Sequence, residues 1–176
     1  MAAIETIHNY LADDILEGIV RRMDKLPWQI GRTMNPNSTS ENHFAFIQDY
    51  SHKIFKETYL KDFPAKFNRA LMTPYVKKHN CKSISVIRSR INMYIRTVGR
   101  EDMCGYHQDY PNPGIKTLLL YLEDSDGCTE FKVSGDRIVS ERNKAIIFDS
   151  NIEHQTISQT NTLFRHNVNV NFMIND

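Results

Sequence analysis

Phe164-Arg165-His166-Asn167-Val168-Asn169-Val170-Asn171-Phe172 alternates strictly, with Arg165, Asn167, Asn169 and Asn171 on one side and His166, Val168, Val170 and Phe172 on the other. A period of two is the rhythm of a β-strand, whose successive side chains point to opposite faces. Ser83 to Ile95 and the residue after it carry the same rhythm: Arg88, Arg90, Asn92, Tyr94 and Arg96 alternate with Ile87, Ser89, Ile91, Met93 and Ile95. Between these two stretches lie short segments rich in β-branched and aromatic residues, separated by turn-forming residues. The predicted strands are 83–95, 105–109, 116–121, 128–133, 137–139, 144–148, 154–157 and 164–172. Many short strands at this spacing imply a sandwich or barrel rather than alternating βαβ units.

The first 80 residues read differently. Residues 4–11 are expected to form an entry strand. Asp13 and Asp14 precede Ile15, Leu16, Ile19, Val20, Met23 and Leu26 at helical spacing, and Pro27 ends that helix. Trp28 and Ile30 begin a short extended piece, and residues 35–40 have the composition of an exposed loop. Two more helices are expected at 50–60 and 64–73, the second opened by Pro64 and ended or kinked by Pro74. The fold class is therefore mainly β with N-terminal helices, an α+β chain forming one domain over 1–176. Residues 1–80 are its helical support region and 83–172 its barrel core.

Composition narrows the function classes. An apolar share of 40% and a charged share of 24% are those of a globular chain, and no apolar run reaches the 18 or so residues of a membrane span. The N-terminus lacks the basic and apolar parts of a secretory signal, so the expected compartment is the cytosol, with no membrane partner. Cys81, Cys104 and Cys128 are odd in number and widely spaced, which argues against a disulfide framework and a paired-cysteine zinc site. A net charge of +1 argues against a nucleic-acid partner. The local basic run over 77–100 reads as a solvated strand face and loop.

In His107-Gln108-Asp109 the two outer residues project from one face if the segment is extended, so both can grip one ion. His154 follows His107 by 47 residues, after a turn at Asp149-Ser150-Asn151 able to return the chain to the same place. Two imidazoles and one carboxylate make the facial triad of iron(II) oxygenases, which leaves coordination positions open for cosubstrate and O2. Arg165 follows His154 by 11 residues across a polar, hairpin-like turn. Its planar fork suits a carboxylate, such as the distal one of a dicarboxylate whose 2-oxo acid end the metal chelates.

The set Ile91-Asn92-Met93-Tyr94, Gly105-Tyr106-His107-Gln108-Asp109, Thr117 to Leu122, Gly127 to Phe131, Ala145 to Asp149, His154 and Arg165 resembles the 2-oxoglutarate- and iron(II)-dependent dioxygenases of the prolyl 4-hydroxylase-like branch. The resemblance covers about residues 83–172. It implies a double-stranded β-helix, a jelly-roll barrel with iron at its mouth, in which His107, Asp109 and His154 bind iron(II) and Arg165 anchors 2-oxoglutarate. Tyr121 and Tyr94 resemble tyrosines that assist the anchor and line the pocket. The implied reaction consumes 2-oxoglutarate and O2, with ascorbate as an optional addition, and yields succinate, CO2 and a hydroxylated substrate. That substrate is expected to be a prolyl or other residue of a polypeptide. The alternatives are a small metabolite or a nucleobase, or a metal-binding barrel without activity that serves as an interaction module.

The alternating rows add one expectation. Buried amides without partners are costly, so Asn167, Asn169 and Asn171 on the face of Arg165 imply a wet cavity or a substrate channel, unless that face is a solvent-exposed edge. With Tyr94 pointing inward, Arg90 and Asn92 would lie nearer the mouth, within reach of substrate.

Overall fold

The computed structural model describes residues 4–23, 25, 27–31, 45–49, 63–96 and 105–175. Ten strands and two helices fall within these residues: β1 (Glu5–Ile7), α1 (Asp13–Met23), β2 (Gln29–Gly31), β3 (Ala45–Asp49), α2 (Phe63–His79), β4 (Ser83–Ile95), β5 (Ile115–Tyr121), β6 (Cys128–Phe131), β7 (Arg137–Val139), β8 (Ala145–Asp149), β9 (His154–Ile157) and β10 (Phe164–Asn175). The helix expected at 50–60 and the loop at 35–40 lie outside the described residues.

Seven strands form one antiparallel sheet in the order β1-β8-β5-β10-β4-β3-β2, and three form a second in the order β7-β6-β9. From β5 onward the chain passes back and forth: β5 in the large sheet, β6 and β7 in the small one, then β8 large, β9 small and β10 large. That alternation is the winding of a double-stranded β-helix, the expected jelly roll. The two long alternating stretches are neighbours, with Arg165 opposite Tyr94, Asn167 opposite Asn92 and Asn171 opposite Arg88.

The period-two pattern gives the large sheet two buried faces. Val168, Val170, Phe172, Leu118, Leu120, Leu122 and Ile91 face away from the small sheet and form one apolar core with Leu16, Ile19 and Met23 of α1 and Phe67, Leu71 and Tyr75 of α2. The ring of Tyr75 meets Phe172 edge-on, with centroids 4.9 Å apart. On the other face Leu119, Tyr121, Ile146 and Phe148 pack with Phe131 of the small sheet in a smaller apolar cluster. Between the sheets the remaining positions are polar, and the candidate site residues lie there.

Several expectations change in detail. The entry strand is only Glu5–Ile7. Helix α1 stops at Met23, ahead of Pro27. Helix α2 runs through Pro74 to His79 instead of ending there. The cost of a proline inside a helix, about 3 kcal/mol, is offset by burying Leu71, Met72 and Tyr75 on either side of it. The helix ends at Asn80, whose φ of 51° is left-handed. Residues 105–109 do not form a strand: one bridge, His107 to His154, attaches them to the edge of β9. The connection from β9 to β10 is no hairpin either, since it crosses from the small sheet to the large one. Strand β3 has no counterpart in the sequence reading.

Candidate metal and cosubstrate site

The bridge that replaces the expected strand is what unites the two histidines. His107 N–H donates to the His154 carbonyl and His154 N–H to that of His107, both at 3.0 Å, which sets the imidazoles side by side with ring centroids 4.6 Å apart. Nδ1 of His107 lies 3.2 Å from the Gly105 carbonyl, and Nδ1 of His154 lies 2.9 Å from that of Ile152. A carbonyl only accepts, so each Nδ1 carries the proton and each Nε2 is left as a free lone pair. Burial, and then the neighbouring His154, pull the His107 pKa down from 6.5 to about 4, so the ring is neutral and ready to ligate at physiological pH. Phe148 meets the His154 ring edge-on at 4.8 Å and holds its orientation.

Asp109 completes the cluster: one ligand atom from each of His107, Asp109 and His154 lies within 4.8 Å of the others. Its side chain is only 2% exposed. Oδ2 accepts from Thr117 Oγ1 at 2.9 Å, Asn171 Nδ2 at 3.1 Å and Asn169 Nδ2 at 3.2 Å, and Oδ1 accepts from Arg88 Nη2 at 3.1 Å. Burial alone would raise the carboxyl pKa. The electrostatic influence of His154, Arg88, Arg90 and His107 outweighs that and holds Asp109 well below the usual carboxylate range. Gln108 and Tyr110 tie the segment to the turn before β9, through Gln108 Nε2 to the Asn151 carbonyl at 2.7 Å and Tyr110 N–H to that of Ser150 at 3.2 Å.

Arg165, 0% exposed, is among the largest side chains in the chain to be fully enclosed. None of its three guanidinium nitrogens has a hydrogen-bond partner among the described residues. Its Cζ lies 5.1 Å from the centre of the Tyr94 ring. Gly127 makes the room: a Cβ there would fall 3.0 Å from Arg165 Nη1 and 3.0 Å from the Gln159 backbone nitrogen. A buried guanidinium with no acceptor is among the costliest groups a protein can carry, and a carboxylate on its fork removes that cost. Tyr121 is enclosed nearby, its hydroxyl donating to Thr129 Oγ1 at 2.8 Å and pointing toward the Ile138 carbonyl at 3.3 Å. Burial raises its pKa.

The asparagine row is an inner face and not a solvent edge: Asn167, Asn169 and Asn171 are all buried. Most of its amides, though, have protein partners. Asn169 and Asn171 hold Asp109, and Asn167 Oδ1 accepts from Asn92 Nδ2 at 2.9 Å. The basic run over 77–100 divides in the same way: Lys77, Lys78 and Lys82 are exposed, whereas Arg88 and Arg90 are half-buried and flank Asp109 electrostatically. The sequence reading did not identify Arg88 and Thr117 as supports of the aspartate. The available signal was the alternation itself, which places Arg88 in the row of Tyr94 and Thr117 in the row of Tyr121.

No protein-family model matches the sequence. No curated protein matches it either. Solved structures do match the fold. An oxidoreductase of the 2OG-Fe(II) oxygenase family from Burkholderia pseudomallei superposes with a TM-score of 0.72 at 10% identity, covering 97% of this chain and 84% of its own. A prolyl hydroxylase from Trichoplax adhaerens, solved with a peptide fragment of hypoxia-inducible factor, gives 0.70 at 12% identity over 99% and 84%. The non-heme alpha-ketoglutarate-dependent epimerase SnoN from nogalamycin biosynthesis gives 0.67 at 9% identity over 98% and 78%. At these identities the likeness is one of fold.

Proposed function

We propose that this chain is an iron(II)- and 2-oxoglutarate-dependent oxygenase that hydroxylates a C–H bond. The observation that carries the reading is Arg165, enclosed without a single acceptor among the described residues, in the same inter-sheet space as two imidazoles and a carboxylate. Both parts fit the absent groups. His107, Asp109 and His154 supply three donors suited to iron(II), and Arg165 supplies the charge and fork for the distal carboxylate of 2-oxoglutarate. Bound together, iron and 2-oxoglutarate supply oxidation by O2, with 2-oxoglutarate leaving as succinate and CO2. The chain's residues do the rest. Each Nδ1–H holds its imidazole in the ligating tautomer, Asn169, Asn171, Thr117 and Arg88 hold the carboxylate, and Tyr94 and Gly127 shape the cradle of Arg165. Tyr121 stands beside that cradle as a further cosubstrate contact.

For the substrate we infer a residue of a polypeptide, a prolyl residue first, supported by the peptide-bound Trichoplax hydroxylase of the same fold. A small-molecule substrate is the second reading, favoured by the fold shared with SnoN. A panel of peptides and metabolites scored by stimulated 2-oxoglutarate turnover decides between them. The anchor is tested first, by anaerobic calorimetry with manganese(II) replacing iron(II). Arg165→Ala is expected to weaken 2-oxoglutarate binding by about tenfold to a few hundredfold and to leave metal affinity unchanged, with partial recovery in Arg165→Lys. Wild-type 2-oxoglutarate affinity in Arg165→Ala refutes the anchor and favours a metal-binding barrel without activity.

No described helix is long and apolar enough to cross a membrane.

A further inference from the structure

We propose that Glu130 is a positioning residue that sets His107 against His154, acting from the face of the small sheet opposite to the metal site. The inference rests on the metal-binding part of the reading above. The two histidines are not held equally. His154 belongs to β9, and the ladder with β6, where Phe131 stands opposite it, fixes its place. His107 belongs to no strand and meets β9 through one bridge among the described residues. A bridge fixes one point of a segment and leaves the rest to pivot about it. On the Asp109 side, Gln108 and Tyr110 oppose that motion through the turn before β9. On the other side stands Gly105, with its left-handed φ of 60°, and the tie there is Tyr106.

The Tyr106 hydroxyl donates to Glu130 Oε2 at 2.7 Å. The same oxygen accepts from Gln155 Nε2 at 2.5 Å, and Oε1 accepts from Arg137 Nε at 2.6 Å. Tyr106 precedes His107 and Gln155 follows His154, so one carboxylate joins the neighbours of both histidines. Gln155, Glu130 and Arg137 stand opposite one another across β9, β6 and β7, and strand alternation puts them on the far face from His154 and Phe131. The side chain of Glu130 is 11% exposed, which shields these bonds from water. A carboxylate suits the place because it offers about four lone-pair sites and no donor, whereas the amide of glutamine would turn an N–H2 toward groups that themselves donate. Lys132 Nζ, paired with Glu153 at 2.9 Å, lies 5.7 Å from the centre of the Tyr106 ring and steadies it from above.

Groups that hold a metal ligand from outside are worth about 10–100-fold in metal affinity, and Glu130 acts one bond farther out. In the full-length protein, Glu130→Gln and Tyr106→Phe are therefore each expected to weaken manganese(II) binding by about tenfold in calorimetry. Both variants break the same bond, so the double variant is expected to be little weaker than either alone. Copper(II) electron paramagnetic resonance gives the second readout, because nitrogen splitting counts the bound imidazoles. The wild type is expected to show both, and the two variants a population that has lost one. Phe172→Ala, which lowers stability from the apolar core, is the control and is expected to keep wild-type affinity and both imidazoles. Should near-ultraviolet circular dichroism show Glu130→Gln unfolded, Tyr106→Phe carries the test on both readouts. Retention of both imidazoles in the variants overturns the proposal whatever their affinity, and so do additive losses in the double variant. An equal loss in Phe172→Ala overturns it too, by making the effect one of stability. A wild-type protein that binds no manganese(II) instead overturns the metal reading beneath it.

Discussion

Strand β10 has two buried faces that solve opposite problems. On one, Val168, Val170 and Phe172 join an apolar core with both helices. On the other, Arg165, Asn167, Asn169 and Asn171 are buried just as deeply, among polar partners or, for Arg165, without any. The outer face stabilises the fold by removing apolar area from water, roughly 25 cal/mol per Å2. The inner face contributes little net stability, because each amide and charge first loses its water. Depth of burial therefore does not separate structural from functional residues here. The satisfaction of polar groups does.

That contrast breaks if the faces can be exchanged by mutation. The largest expected effect is on the inner face: His154→Ala and Asp109→Ala should each weaken manganese(II) binding by more than about a hundredfold, with Asp109→Ala still folded by circular dichroism. Wild-type metal stoichiometry in either variant removes the site from this face. Next comes Phe172→Ala on the outer face, expected to cost about 3–5 kcal/mol in urea unfolding while the folded fraction binds manganese(II) like wild type.

The smallest effect sharpens the comparison with pH. Burial holds the His107 pKa down at about 4 in the folded chain, below its ordinary 6.5, so between those values the unfolded chain binds the extra proton. Stability of the metal-free protein should therefore be intact above pH 6.5 and fall as pH drops toward 4, by on the order of 3 kcal/mol at most. Asp109, held low, contributes its own stability above the ordinary carboxylate range and loses it only in stronger acid. His107→Ala should flatten the pH 4 to 6.5 slope, whereas Phe172→Ala should shift the whole curve without changing it. An unchanged slope in His107→Ala assigns the titration elsewhere.

The β-rich half was legible because side-chain alternation is local, and β4 and β10 write it over many residues. The clustered residues His107, Asp109 and His154 were legible as candidate ligands from residue type and order. What could not be read were pairings across long separations. Residues 105–109 look extended, yet only His107 meets β9, since Gly105 takes a left-handed φ of 60° just before it and the segment bends at Asp109. Pro74 carries a breaker signal that the buried neighbours Leu71, Met72 and Tyr75 override. Arg88 looked like part of a solvated basic run until the pairing of β4 with β10 set it opposite Asn171, beside Asp109.

The enclosed guanidinium of Arg165 also has a consequence for the folded lifetime of the protein. A ligand that binds the native state alone raises unfolding free energy by RT ln(1 + [L]/Kd), about 2.7 kcal/mol at a hundredfold excess over Kd. A fold that holds an unanswered charge until its counter-ion arrives couples its persistence to the supply of that dianion. If that dianion is 2-oxoglutarate, as proposed, the chain would lose abundance through unfolding and degradation when it runs low, making its cellular level a slow record of that metabolite.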